Sequence, residues 1–114
     1  MKNKNFFEAL KHAAEGILTG FKTQWNIKTQ ILIAIMVIIA GMILKLTKIE
    51  MLFVVFAIAL VLIAEMLNTA IESVVDLVTE EFKEKAKVAK DVGAGAVLIA
   101  SINAIIVAII IIFI

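Results

Sequence analysis

The sequence predicts an all-α membrane protein that consists of an N-terminal amphipathic surface helix and three transmembrane helices. Apolar residues make up 63% of the 114-residue chain, far more than in ordinary soluble domains. The runs 51–64 and 92–114 carry no charged residue. Proline is absent, which suits long uninterrupted helices. The length predicts one domain, residues 1–114.

Residues 5–24 are predicted to form the surface helix. Apolar residues recur at helical spacing and polar residues fill much of the opposite face; the apolar set is Phe6, Phe7, Leu10, Ala13, Ala14, Ile17, Leu18 and Phe21. Trp25 follows and is a typical anchor at the membrane interface. We therefore expect this helix to lie on the membrane surface. The alternative is a soluble helix that packs on the rest of the protein.

The three predicted spans are 29–46, 51–78 and 92–114. A tight turn at 47–50 is expected between the first two, and a strongly charged loop at 79–91 between the last two. Lysines are concentrated before the first span and in the charged loop, and fewer flank the turn. The positive-inside rule therefore predicts a cytoplasmic N-terminus and a cytoplasmic second loop.

Composition and motifs exclude several classes of function. The net charge of +1 gives no support for nucleic-acid binding. Without cysteine the chain can form neither a disulfide nor a thiolate metal site. A cleavable signal peptide is not expected, because charges recur before any apolar region begins. The sequence has no P-loop or dinucleotide fingerprint and no protein-kinase motifs. His12, the single histidine, is interpreted as an interfacial surface residue.

The strongest functional signal lies at the end of the second span. Glu65, Asn68, Thr69, Glu72 and Asp76 fall on one stripe of a helix, and Glu65 and Glu72 are about 10 Å apart along the axis. A charged side chain within a membrane costs about 3 kcal/mol or more, so this stripe predicts a cation, a polar ligand or a partner subunit. Because it leads into the cytoplasmic loop, its position favours chemistry on a cytoplasmic reactant over ion passage.

A second signal lies at the threshold of the third span. Lys90 and Asp91 are followed by Gly93 and Gly95, and such small residues let a helix or a ligand approach the backbone closely. A lysine beside a helix N-terminus is a plausible clamp for polyphosphate. The other charges of this loop are interpreted as a solvated surface.

These motifs resemble the prokaryotic diacylglycerol kinase family of small integral-membrane lipid kinases. The matching residues are EMLNTAIESVVD at 65–76 and the later KDVGAGAVL at 90–98. The resemblance extends over nearly the whole chain, including the order of helices and charged loops. The motif sequence EMLNTAIE is similar to that of the Gram-positive branch, whose members are mostly undecaprenol kinases.

The resemblance implies a homotrimer in the bacterial cytoplasmic membrane, with composite sites between subunits, ATP as donor, Mg²⁺ as cofactor and a lipid alcohol as acceptor. Undecaprenol is the expected substrate, and diacylglycerol is the alternative. Glu65 would be the catalytic base near the lipid hydroxyl, and Asn68 would support the site by a polar contact to the substrate. Glu72 would bind the metal, and the nucleotide side would include Glu72, Asp76, Lys90 and Asp91. Oxygen ligands such as Glu72 suit magnesium, and three thin helices cannot enclose such a site alone.

Gln30 departs from the family pattern. The family usually carries glutamate or histidine at this position, which is a second metal ligand in the glutamate branch. Gln30 is neutral and is expected to be a weak magnesium ligand. Gln30 therefore leaves open a kinase fold that has lost activity. A function of another class also stays open: a small ion-coupled transporter subunit with carboxylates in its membrane helices.

Overall fold

The computed structural model describes residues 2–114, and these form four helices in chain order. The helices are α1 (Phe6–Thr23), α2 (Trp25–Ile43), α3 (Lys48–Val78) and α4 (Glu84–Phe113). The last three are long and apolar enough to cross a membrane. The predicted all-α class with three spanning helices is therefore confirmed.

Helix α1 and helix α2 are separated by a single residue, Gln24. Asn5 caps the start of α1, since its side chain accepts a hydrogen bond from the Glu8 backbone N–H. Gln24 is extended and donates its own N–H to the Gly20 carbonyl at 2.9 Å. Helix α2 begins at Trp25, four residues before the predicted start. The prediction followed the apolar run, but the polar residues before that run are helical as well.

The turn between α2 and α3 lies at 44–47, earlier than the predicted 47–50. Lys45 adopts a left-handed conformation (φ 57°), and the Leu46 N–H reaches back to the Gly41 carbonyl at 3.1 Å, as in a Schellman motif. Thr47 then caps α3, and its side chain and that of Glu50 form a reciprocal capping box. The predicted turn residues 48–50 are thus already helical.

The charged segment before the last span is mostly helical and not a loop. The connection after α3 covers only 79–83, and α4 begins at Glu84, eight residues before the predicted 92. Glutamate in the first turn complements the helix dipole. Lys87 and Asp91 form an ion pair one turn apart at 2.5 Å. The charges of this segment therefore do not end the helix, which continues through them.

Helix α3 packs along α4 and also contacts α2, while α1 contacts α2. The core of the chain is small: its buried apolar side chains are Ile27, Ala34, Val54, Ala57, Val61 and Ala100. Most large apolar side chains on the spanning helices are exposed, which is the expected state of surfaces that face lipid or another subunit.

Candidate functional site

Glu65 extends the buried seam of α3 toward the polar end of the helix. Val54, Ala57 and Val61 are buried at helical spacing, and Glu65 is the next residue of that row. Its side chain is 6% exposed, and it is the only buried charged side chain among residues 2–114. It lies about 26 Å from the start of α3, close to the far side of a hydrocarbon core about 30 Å thick.

Asn68 and Glu72 form the next part of the site. The Asn68 side-chain N–H donates to the Glu72 carboxylate at 3.1 Å, while Glu72 itself is exposed. The amide oxygen of Asn68 is buried and has no hydrogen-bond partner within the described chain. It lies directly against Gly93 of α4. Asn68 is therefore held between the Glu72 carboxylate and helix α4.

Asp76, Lys90 and Asp91 meet at the polar end of the α3–α4 pair. The Lys90 ammonium donates to Asp76 at 2.7 Å and thereby links the two helices across the 79–83 connection. Asp91 pairs with Lys87 in the same region. All four side chains line an open cleft of about 400 Å³. The structure thus brings together three of the four residues expected on the nucleotide side, Asp76, Lys90 and Asp91, whereas Glu72 does not line this cleft.

A groove of about 580 Å³, lined by both polar and apolar residues, lies between α1 and α3. The α1 side contributes His12, Glu15, Thr19 and Thr23, and the α3 side includes Thr69 of the stripe. Gln24 and Ser73 also line it. Sequence reasoning missed this groove, although residues 12, 15, 19 and 23 follow helical spacing and mark one face of α1.

The apolar face of α1 points away from this groove. Phe6, Phe7, Leu10, Ile17 and Leu18 are each at least half exposed. A soluble helix would bury such a face against the protein, so this orientation favours the predicted contact with the membrane.

Gln30 lies elsewhere. It lines an otherwise apolar cavity of about 160 Å³ between α2, α3 and α4, together with Ala34, Val54, Ala57 and Val61 among others. Glu72 does not line this cavity. Gln30 and Glu72 therefore do not share this cavity within one protomer, and their joint binding of a metal stays a prediction.

The oxygen atoms of Glu72 are of the type that magnesium prefers, but they are too few to complete its coordination. Glu72 offers an exposed carboxylate, and magnesium prefers such oxygen ligands while it keeps several waters. Among residues 2–114, no group of three or more His, Asp or Glu side chains could hold a metal on its own. A magnesium ion here would therefore need further oxygens from phosphate, water or another subunit.

Comparison with known proteins identifies the family of this chain. Residues 11–112 match the family model described as prokaryotic diacylglycerol kinase. The chain is 42% identical to a diacylglycerol kinase of Synechocystis over 90% of its own length and 59% of that relative. It is 38% identical to the undecaprenol kinase of Bacillus subtilis, over 82% of this chain and 76% of the relative.

A diacylglycerol kinase of Haemophilus influenzae is 31% identical to this chain over 84% of its length and 81% of the relative. The chain therefore spans about three-fifths of the Synechocystis relative and about four-fifths of the other two. Because the family match covers almost the whole chain, this protein belongs to the prokaryotic diacylglycerol kinase family.

Proposed function

We propose that this protein is a lipid kinase that transfers the γ-phosphoryl group of ATP to the hydroxyl of a membrane lipid alcohol. The observation that carries the proposal is the gradient along α3: Glu65 is buried, while Glu72 and Asp76 are exposed two and three turns further on. One helix therefore carries a carboxylate for a reactant in the bilayer and carboxylates for a reactant in water.

Glu65 is the proposed base on the lipid side. In the transfer, the lipid oxygen forms a bond to the γ-phosphorus while the bond from that phosphorus to the bridging oxygen of ADP breaks. The hydroxyl proton passes to the Glu65 carboxylate, which also orients the attacking oxygen. A carboxylate in this role contributes about 10²–10⁴-fold to the rate. The groove between α1 and α3, with its mixed polar and apolar lining, offers a path by which the lipid headgroup reaches the stripe.

Lys90 and Asp76 belong to the nucleotide side of the proposed site. An ammonium in a polar cleft neutralises phosphate charge, which is the main task in phosphoryl transfer. Lys90 is paired with Asp76 at 2.7 Å, so a bound phosphate would compete with this carboxylate for the Lys90 ammonium. Asp91 holds Lys87 beside the same cleft.

Glu72 is the proposed protein ligand for magnesium, with Asn68 fixing the orientation of its carboxylate. Bound magnesium would neutralise charge on the β- and γ-phosphates. Gln30 remains a predicted weak ligand of magnesium. Because it lies in the apolar cavity, the other ligands of the ion are proposed to come from phosphate, water or a second subunit. This incomplete ligand set is one reason to propose a homotrimer with sites between subunits.

Undecaprenol is the proposed acceptor, and diacylglycerol is the alternative. The EMLNTAIE wording of the motif and the relative from Bacillus subtilis favour undecaprenol, whereas the names of the relatives from Synechocystis and Haemophilus influenzae favour diacylglycerol. The proposed location is the bacterial cytoplasmic membrane, with the N-terminus and the 79–83 connection on the cytoplasmic side.

The deciding experiment measures phosphate transfer from magnesium-ATP by the detergent-purified protein to undecaprenol and to diacylglycerol in parallel mixed micelles. Faster transfer to undecaprenol is the expected result, and faster transfer to diacylglycerol would reverse the substrate assignment. ATP binding without transfer to either lipid would indicate an inactive kinase fold, and Gln30→Glu would then test for a weakened metal site. Absence of ATP binding would instead favour a transporter subunit.

A further inference from the structure

Gly93 is a buried glycine in the middle of a helix, where glycine is normally unfavourable relative to alanine. It has no positive φ angle, so the backbone conformation does not require it. The reason lies in its neighbour: a side-chain carbon at position 93 would overlap the amide oxygen of Asn68. Gly95, two residues further along α4, has open space at the same point.

The orientation of the Asn68 amide is fixed from the other side. Its N–H group donates to the Glu72 carboxylate, and reversing the amide would place two oxygens against each other. The amide oxygen must therefore point toward α4, where it is buried and has no hydrogen-bond donor within the described chain. Only a residue without a side chain leaves room for that oxygen, and the Cα–H groups of glycine can offer it a weak contact.

We propose that Gly93 is a positioning residue that acts through Asn68 on the Glu72 carboxylate. The missing side chain at position 93 lets Asn68 occupy the rotamer that bonds to Glu72, and that bond aims the carboxylate at the divalent cation. This inference rests on the proposed function, because it assigns Glu72 to the cation. Outer contacts of this kind affect metal affinity by about 10–100-fold when removed.

The test is a double-mutant cycle with Gly93→Ala, Asn68→Ala and the combined variant, and Gly95→Ala is the matched control. Binding of Mn²⁺, as a probe for magnesium, is measured by electron paramagnetic resonance in the presence of a non-hydrolysable ATP analogue. Turnover and its dependence on magnesium concentration are measured alongside. We expect Gly93→Ala and Asn68→Ala each to weaken Mn²⁺ binding about tenfold, and Gly95→Ala to bind like the wild type.

The combined variant is the decisive measurement, because the effects of substituting two residues that act through one contact are not additive. In a protein that already carries Asn68→Ala, adding Gly93→Ala should not weaken Mn²⁺ binding further. Wild-type affinity in Gly93→Ala, or a combined loss equal to the product of the two single losses, would overturn the proposal. If Gly93→Ala does not fold, the combined variant should fold and bind Mn²⁺ like Asn68→Ala, and weaker binding than that would again overturn it.

Failure of this inference and failure of the proposed function give different results. A wild-type protein that phosphorylates lipid while the cycle is additive would contradict only the role of Gly93. A wild-type protein without turnover but with a non-additive Mn²⁺ cycle would contradict the kinase and leave the role of Gly93 supported.

Discussion

Glu65 and Glu72 lie on one face of α3 but in opposite environments, and this difference separates their expected roles. The buried Glu65 can reach a reactant only from within the protein or the bilayer, while the exposed Glu72 can meet a hydrated cation. Their helical spacing was readable from the sequence because it depends only on helix geometry. Their burial was not readable from the sequence, since it depends on how the other helices pack against α3.

Replacing either carboxylate separates these roles. We expect Glu65→Gln and Glu72→Gln each to lower turnover by at least about 10²-fold, because a base or a metal ligand is lost. Glu72→Gln should also raise the magnesium concentration needed for half-maximal rate. Glu84→Gln, at an exposed position in the first turn of α4, is the control. Turnover retained in both site variants would refute the assignment.

Lys90 gives a second prediction at this scale. We expect Lys90→Gln to raise the KM for ATP roughly tenfold, because one charge-assisted bond to phosphate is lost. Thermal stability should change little, because the Lys90–Asp76 pair is solvent-exposed and such pairs contribute little to stability. Lys85→Gln, on the exposed side of α4, should leave the KM unchanged. Equal KM values in the two variants would remove Lys90 from the nucleotide site.

The contact between Asn68 and Gly93 could not be predicted from the sequence. The sequence identified both positions, one as part of the stripe and one as a small residue near the third span. Their contact depends on the register of α3 against α4, and no pattern within either helix encodes it. The groove beside α1 was also missed, because it depends on how α1 lies against α3.

At the scale of the helices, apolar runs predicted each spanning helix but not the residue at which it begins. Helix α4 begins at Glu84 and α3 at Lys48, both outside the apolar runs. Caps and local ion pairs set these boundaries, and they follow different rules from membrane partitioning. The T-x-x-E pattern at 47–50 is the signal that could have placed the start of α3 correctly.

The cap of α3 can be tested on its own. We expect Thr47→Ala to lower the free energy of unfolding by about 1 kcal/mol, because the Glu50 N–H loses its acceptor. Thr47→Ser keeps the hydroxyl and should retain most of the stability. Unfolding of the detergent-solubilised protein by SDS titration measures both. An equal loss in the two variants would show that the hydroxyl contributes nothing.

At the scale of the whole molecule, one protomer is thin and buries few side chains. The sequence predicted the membrane class from composition alone, because apolar content does not depend on packing. Assembly depends on complementary surfaces, and these are not readable from a single chain. The exposed apolar faces and the incomplete oxygen ligand set at Glu72 both favour association.

We expect the purified protein to have three times the 12.4 kDa protomer mass after the detergent contribution is subtracted. Light scattering with refractive-index and absorbance detection measures this mass. Glu65→Gln should give the same mass, which would separate loss of chemistry from loss of assembly. A monomer that turns over at full rate would contradict the proposed composite site.

The length of α3 has a consequence for the membrane in which the protein works. Its 31 residues extend about 46 Å, and a hydrocarbon core of about 30 Å covers only its first two-thirds. Because the turn at 44–47 fixes one end, bilayer thickness sets the depth at which Glu65 emerges. Hydrophobic mismatch would therefore act on the reacting carboxylate itself. Turnover in vesicles should peak at one acyl-chain length and fall in both thinner and thicker bilayers.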